Sequence, residues 1–242
     1  MSINALSCVQ SIVNKNQKGD GLPPVVLSMT NIFPWNPGFY WSGDAGTIVY
    51  NASGKVIAFR QTVNQQIAPY TFKNGFYYAK VSETTTTVNN QTYDLYTSYM
   101  GEINNVPDIP YISPLVYNAS GVYTGSNSTV TSGVTVLGEW IQLQIPYFLY
   151  ITSYQIHTNA ASAGATWNQY FTKSFCLCAS NDGVSWTTID NKSNVTTNTS
   201  GMNYYTLPTT IKIGYKYFRL IGTQVGATKM CVMIGLGGTY RG

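Results

Sequence analysis

The sequence predicts an all-β chain, an antiparallel β-sandwich of jelly-roll type with an extended N-terminal arm. Three features point there. Apolar and polar residues alternate over short stretches, as in Ile141, Leu143 and Ile145 against Gln142 and Gln144, the period-two pattern of a strand with one buried face. Turn residues punctuate these stretches at short intervals. No stretch of useful length carries a helical period, and no segment repeats.

Taken in order, residues 1–24 are polar and close on Lys18-Gly-Asp-Gly-Leu-Pro-Pro24, so they read as an arm ahead of a domain spanning 25–242. Val25-Val26-Leu27 begins the strands. Phe33 to Trp41 holds Pro34, Pro37 and Gly38 and reads as a loop. Thr47–Tyr50 and Lys55–Arg60 flank Asn51-Ala-Ser-Gly54 as a hairpin, and 70–81 and 92–99 are Tyr-rich strand candidates. Residues 104–116 carry Pro107, Pro110 and Pro114 and should cross between sheets, while Ser120–Val136 reads as a Ser/Thr/Gly-rich loop. Glu139–Ile145 is a strand that Pro146 should end, and Ser153–His157 should turn Tyr154 and Ile156 inward.

The stretch Phe175 to Asp190 is expected to be a hairpin on a type I′ turn at Asp182-Gly183. That register pairs Ala179 with Trp186 and Leu177 with Thr188. It puts Phe175, Leu177, Ala179, Val184 and Trp186 on one dry face, with Trp186 covered by a second sheet. Tyr204–Leu207, Tyr215–Ile221 and Lys229–Leu236 complete the strands.

Composition narrows the function. Only 9% of residues are charged, against about 25% in an ordinary soluble domain, so Asn, Thr, Ser, Gln and Tyr must carry solubility. That profile suits shells, fibres and lectins better than cytosolic enzymes. The 13 Lys and Arg against 9 Asp and Glu form no basic stripe, which argues against nucleic acid. No apolar run reaches membrane length, and the opening residues lack a signal-peptide pattern. Cys8, Cys176, Cys178 and Cys231 with a single histidine argue against zinc. Reduced buried thiols are expected, with a Cys178–Cys231 bridge as the alternative.

No cofactor is expected; Ca2+ in an Asp-bearing loop is the one cation left open. His157 sits at an outward position of its strand, no nucleophile–base–acid set is recognisable, and the carboxylates are scattered. The chain is therefore read as non-enzymatic, with His157 a solvated or glycan-contacting side chain.

Several stretches resemble a known family: Gly138-Glu-Trp-Ile-Gln-Leu-Gln-Ile-Pro146, Ser153-Tyr-Gln-Ile156, Ser180-Asn-Asp-Gly-Val-x-Trp186, Tyr217-Phe-Arg-Leu-Ile221 and Ile234-Gly-Leu-Gly-Gly-Thr-Tyr240. In that order they resemble a discoidin-like domain, the coagulation factor 5/8 type C, galactose-binding-like jelly roll. The match runs over 138–242 and thins over 25–137. Glu139, Trp140, Asp182, Gly183, Trp186 and Arg219 are its signature positions. The Asn- and Tyr-rich composition is similar to copies in virion proteins of large DNA viruses. The resemblance implies a sandwich with neighbouring ends that binds sugars, lipid headgroups or proteins through loops at one end. Here those loops are 33–45, 64–76 and 158–172. The family's usual disulfide has no evident pair in this chain.

The contact candidates follow from those loops. Trp35, Phe39, Tyr40, Trp41 and Asp44 form one group, and Trp167, Gln169 and Tyr170 with His157 form another. Exposed Trp and Tyr stack on sugars and anchor protein interfaces, and the bland reading buries Trp35 and Trp41 in the sandwich end. Arg219 lies among Tyr and Phe, and a half-buried charge needs a partner, so a structural pair with Asp182 or Glu139 is expected. Sequons at Asn51, Asn90, Asn118, Asn127, Asn191, Asn194 and Asn198 mark exposed loops.

Two functions result. The first is a minor capsid or capsid-surface component of a virion assembled in the host cytoplasm, docking on other capsid subunits through loops and arm. The alternative is a glycan-binding attachment module.

Overall fold

The structure, a computed structural model, describes residues 25–27, 41–43, 47–50, 52, 56–66, 75–82, 111–157, 167–196, 202–208 and 211–241. The arm 1–24, the strand candidate 92–99 and most of 33–45 lie outside them. The described strands are β1 (Val25–Leu27), β2 (Trp41–Gly43), β3 (Thr47–Tyr50), β4 (Val56–Gln66), β5 (Gly75–Val81), β6 (Tyr111–Ile112) and β7 (Ser128–Thr131). They continue with β8 (Val134–Leu137), β9 (Glu139–His157), β10 (Thr172–Ser180), β11 (Thr187–Lys192), β12 (Met202–Thr206), β13 (Tyr215–Val225) and β14 (Cys231–Arg241). One short 3-10 helix, Trp167–Tyr170, precedes β10. Every strand–strand ladder among them is antiparallel, as the sequence predicts.

The 19-residue β9 organises the rest. Its first half lies between β13 and β5, with Leu143 opposite both Phe218 and Ala79. Its second half lies between β12 and β14, with Ile156 opposite both Asn203 and Ile234. One layer therefore runs β11-β10-β13-β9-β5-β4, and the other is built of β12, β9 and β14, with β1 and β6 on the far edge of β14. A strand that bends between sheets is one way to corner a sandwich.

The sequence-predicted stop at Pro146 does not occur. Pro146 falls in the gap between Gln144, the last residue of β9 in register with β5, and Phe148, the first in register with β14. A residue without an N–H is tolerated where no ladder bond is required. Inward positions are odd up to Ile151 and even from Tyr154 on, because Thr152 is skipped in the pairing that sets Gly237 opposite Ser153 and Gly238 opposite Ile151. That single-residue bulge flips the parity and keeps both halves of β9 facing one core.

The core lies between the layers. One side supplies Tyr77, Ala79, Ile141, Leu143, Leu177, Phe218 and Leu220; the other supplies Leu149, Ile151, Tyr154, Ile156, Val232, Ile234 and Leu236. Each buried Ile or Leu is worth about 1.5–3 kcal/mol relative to exposure. Tyr154, Phe175 and Tyr205 meet ring to ring across the gap, at centroid separations of 4.8–6.2 Å. The Tyr154 hydroxyl donates to Asp190 at 2.7 Å, which ties β9 to β11.

Two turns differ from expectation. The two-residue I′ hairpin is not at Asp182-Gly183 but at Ser132-Gly133, where φ is 48° and 79° and which joins β7 to β8 inside the stretch read as loop. At the other site only Gly183 has positive φ. Asp182 instead closes the loop with its side chain, its Oδ1 accepting from the N–H groups of Val184 and Ser185 at 2.8 and 2.7 Å. This longer loop, with a bulge at Leu177/Cys178, sets Ala179 opposite Thr187. Val184 is thrown into solvent, and Trp186 goes to the outer face of the sheet, under β7 and β8 rather than in the core between sheets. Asn127, read as an exposed sequon, is half-buried and donates to Glu139 at 3.0 Å.

Burial, the largest cause, pushes the phenols of Tyr117, Tyr147 and Tyr154 far above the ordinary range. Tyr123 is pushed up to about 12 by burial and by its hydrogen bond to Glu139. A raised folded value stabilises below the unfolded pKa of about 10, and that stabilisation is lost as pH climbs through the folded value. Stability to urea should thus be level to about pH 10 and fall above it. Phenolate absorbance from the 20 tyrosines should rise in two steps, the second coinciding with loss of the β-sheet circular dichroism.

Candidate functional site

Outward residues of β5, β9, β13 and β10 line up on the solvent side of the larger layer. One cross-strand row reads Lys80, Gln142, Arg219, Cys178, and the next reads Tyr78, Gln144, Tyr217, Ser180. The face has a closed half and an open half.

In the closed half, Trp140, Cys176, Cys178, Trp186 and Ile221 form a second apolar cluster under β7 and β8, with Val136 and Tyr217 packed on it. Arg219 marks its boundary. Its guanidinium carbon sits 3.9 Å from the centre of the Trp140 ring and 4.2 Å from that of Trp186. Its Nη2 and Nε donate to Gln142 Oε1 at 2.6 and 3.2 Å, and Nη1 donates to Thr129 at 2.7 Å. Planar guanidinium stacking and forked donation are what Arg supplies and Lys cannot.

The expected pairing of Arg219 with Asp182 or Glu139 gives way to these contacts, because both carboxylates are engaged elsewhere. Glu139 is fully buried and accepts from Ser82 Oγ at 2.6 Å, Tyr123 at 2.8 Å and Asn127. Asp182 is bound to its own loop and to Ser180 Oγ. Cys176, Cys178 and Cys231 are buried free thiols, so no Cys178–Cys231 bridge forms. The neighbouring Cys176 thiol and burial push the Cys178 thiol well above its usual range, and its S–H donates to the Arg219 carbonyl at 3.5 Å.

The open half is aromatic and amide-rich. The rings of Phe76 and Tyr78 stack at 6.0 Å, Phe76 being 40% exposed. Gln144 and Tyr217 are half-buried beside them, and exposed Lys80 places Nζ 5.7 Å above Trp140. Gly183 presses on Tyr217: a Cβ there would lie 3.2 Å from its ring.

Of the sequence-predicted contact residues, the described His157, Gln169 and Tyr170 stand outside these two rows. Trp35, Phe39, Tyr40 and Asp44 lie outside the described residues, and Trp41 opens β2 opposite Gln66. Gln66 and Gly75, which bracket 67–74, belong to the Pro146 end of the molecule, where a Cβ on Gly75 would collide with Pro146. His157 ends β9 opposite Met202 and Met233, and Trp167–Tyr170 precedes Thr172, which pairs with Val225 at the Glu139 end. The loops grouped as one rim thus leave from opposite ends. Of the signature residues, Trp140, Trp186 and Arg219 meet, Glu139 is in a separate buried network, and Asp182 and Gly183 shape the loop beside Tyr217. Reasoning from sequence missed Phe76, Tyr78, Lys80 and Tyr217, whose signal was outward alternation in Phe76-x-Tyr78-x-Lys80 and Tyr217-x-Arg219.

No family model matches the chain, and no curated protein matches it. Among solved structures it is similar to the family 32 carbohydrate-binding module of Streptococcus pneumoniae EndoD, at 14% identity over 68% of this chain and 96% of that one, TM-score 0.41. It is similar to an F5/8 type C domain from Bacteroides fragilis, at 14% over 67% and 91%, TM-score 0.47. A third is the family 32 module of Clostridium perfringens NanJ in complex with galactose, at 11% over 66% and 93%, TM-score 0.41.

Two substitutions test the stack and the loop. Arg219→Lys loses the planar contact and the forked donation, and should cost about 1–3 kcal/mol in urea unfolding with a red shift in tryptophan emission. Hydrogen bonds from Ser185 and Val184 hold the Asp182 carboxyl well below the usual range. Its contribution is present above the unfolded value of about 3.9 and is lost as pH falls below that toward the folded value. Asp182→Asn should therefore be less stable than wild type at neutral pH, and the difference should close in acid.

Proposed function

We propose that the chain is a non-catalytic glycan-binding module whose ligand lies across the open half of the outer face. The observation that carries this reading is the stacked Phe76–Tyr78 pair set in one surface with Gln144 and Tyr217. A sugar ring offers an apolar face and a rim of hydroxyls, so it is matched by aromatic planes flanked by amide and phenol groups. Here a framework of three paired strands fixes those groups, so little order has to be gained on binding.

A docking role in a virion shell rests on residues 1–24 and the 33–45 loop, almost all outside the described residues, and no observation favours it over glycan recognition.

Screening the full chain on a broad glycan array, then titrating the hits by calorimetry, tests the reading. Tyr78→Ala and Tyr217→Ala should each weaken binding about tenfold, or about 1.4 kcal/mol. Tyr204→Ala, an exposed aromatic on β12, should leave it unchanged. Loss of binding in Trp35→Ala or Trp167→Ala with Tyr78→Ala intact would move the site to the loops, and an array without hits would end the glycan reading.

A further inference from the structure

The closed half of the outer face holds two thiols that play no part in the proposed glycan surface. Cys176 and Cys178 flank Leu177 along β10, so both side chains leave the same side of the sheet. Both are buried and free, and Trp140, Trp186 and Ile221 enclose them beneath β7 and β8. Each sulfur lies within hydrogen-bonding reach of the other.

The surroundings of the pair favour sulfur as an anion. Thr188 brings its hydroxyl to Cys176 and Thr131 brings its own to Cys178, and those two hydroxyls are 3.1 Å apart. Arg219 stands opposite Cys178 in the β10–β13 ladder, and its guanidinium favours a thiolate there. Neutral groups position that guanidinium: two indoles, Gln142 and Thr129. Asp190 opposes a charge on Cys176, but it is bonded to Tyr154 and Lys192.

Two ways of joining the sulfurs demand different distances. Residues two apart on a strand have Cα atoms about 6.4–6.8 Å apart, the outer limit for a disulfide, and their side chains run side by side instead of converging. A direct S–S bond of about 2.0 Å would distort the strand. An ion between the sulfurs leaves them two metal–sulfur bonds apart, about 4.6 Å by the zinc–sulfur length. Among the described residues no group of three or more His, Cys, Asp or Glu could hold a metal ion, so zinc would lack its usual four donors. A soft monovalent ion is satisfied by two thiolates.

We propose that Cys176 and Cys178 form a two-coordinate site for a soft monovalent metal ion of the Cu(I) class. Each S–H loses its proton to solvent and each sulfur forms one bond to the ion, so no electron is transferred. The complex carries one net negative charge, which the Arg219 guanidinium offsets in the buried site.

The full chain carrying Cys8→Ser is titrated anaerobically with Cu(I) against a chromogenic Cu(I) chelator. A single equivalent should bind, quench tryptophan emission and show two sulfur neighbours in the copper X-ray absorption spectrum. Cys176→Ala and Cys178→Ala should each weaken uptake by more than about 100-fold, and Thr188→Val by about tenfold, as for an outer-shell partner. Cys231→Ala, which removes an equally buried thiol, should leave uptake unchanged, and Zn(II) should not compete. Circular dichroism reports the fold of each variant; where an alanine variant unfolds, the absorption spectrum of the parent decides.

No uptake by the folded parent, a copper shell without the sulfur pair, or undiminished uptake in the Cys176→Ala and Cys178→Ala variants would overturn the site. Closure of the pair to a disulfide by diamide without copper would also overturn it, because the sulfurs would then converge. Glycan binding stands or falls separately.

Discussion

The architecture depends on one strand belonging to two sheets. β9 pairs with β13 and β5 before Pro146 and with β12 and β14 after it. Its inward residues must face the same core on both sides of the corner. A proline where no ladder bond is needed and a bulge at Thr152 together satisfy that condition. Without the bulge Tyr154 and Ile156 would turn outward, since a one-residue slip exchanges the faces of a strand.

Because the inner faces are consumed by the core, the outer face of the larger layer is free to differ along its length. β7 and β8 close one half over Trp186, the two thiols and Ile221. The other half stays open around Phe76, Tyr78 and Tyr217. Arg219 separates the two, and its charge is accommodated without either carboxylate that the sequence offered. Two indole faces, an amide oxygen and a hydroxyl hold it. Neutral dipoles and ring quadrupoles can solvate a half-buried cation, and a low-charge chain has many of them.

What could be read from residue order was the part of the fold set by local alternation. Ile141, Leu143 and Ile145 are buried, Tyr154 and Ile156 point inward, and the 47–60 hairpin forms. Local turn chemistry misled where one dipeptide had two solutions. Asp-Gly can take φ > 0 at both residues or can use the carboxylate to hold the following N–H groups, and nothing nearby distinguishes them. Asp182 takes the second, and the changed register moved Trp186 to the opposite face. Ser132-Gly133 takes the first in a stretch whose Ser/Thr content disguised two strands.

The candidate site was the least legible part. Each of its strands showed outward aromatic or amide residues, but only the long-range register of β5, β9 and β13 places Tyr78, Gln144 and Tyr217 in one row. The loops that the family resemblance favoured leave from opposite ends, a separation set by strand direction and invisible in composition.

The pairing of β1 with β14 has a mechanical consequence. Val25 lies opposite Tyr240 and Leu27 opposite Gly238, so chain entering β1 and chain leaving β14 diverge from the same end of that short ladder. A tug applied at those two points loads its bonds one after another, like a zip, whereas pulling along the strands would strain them all together. β1 should therefore peel away under gentle tension while β14, gripped by β9 along its other edge, keeps its place.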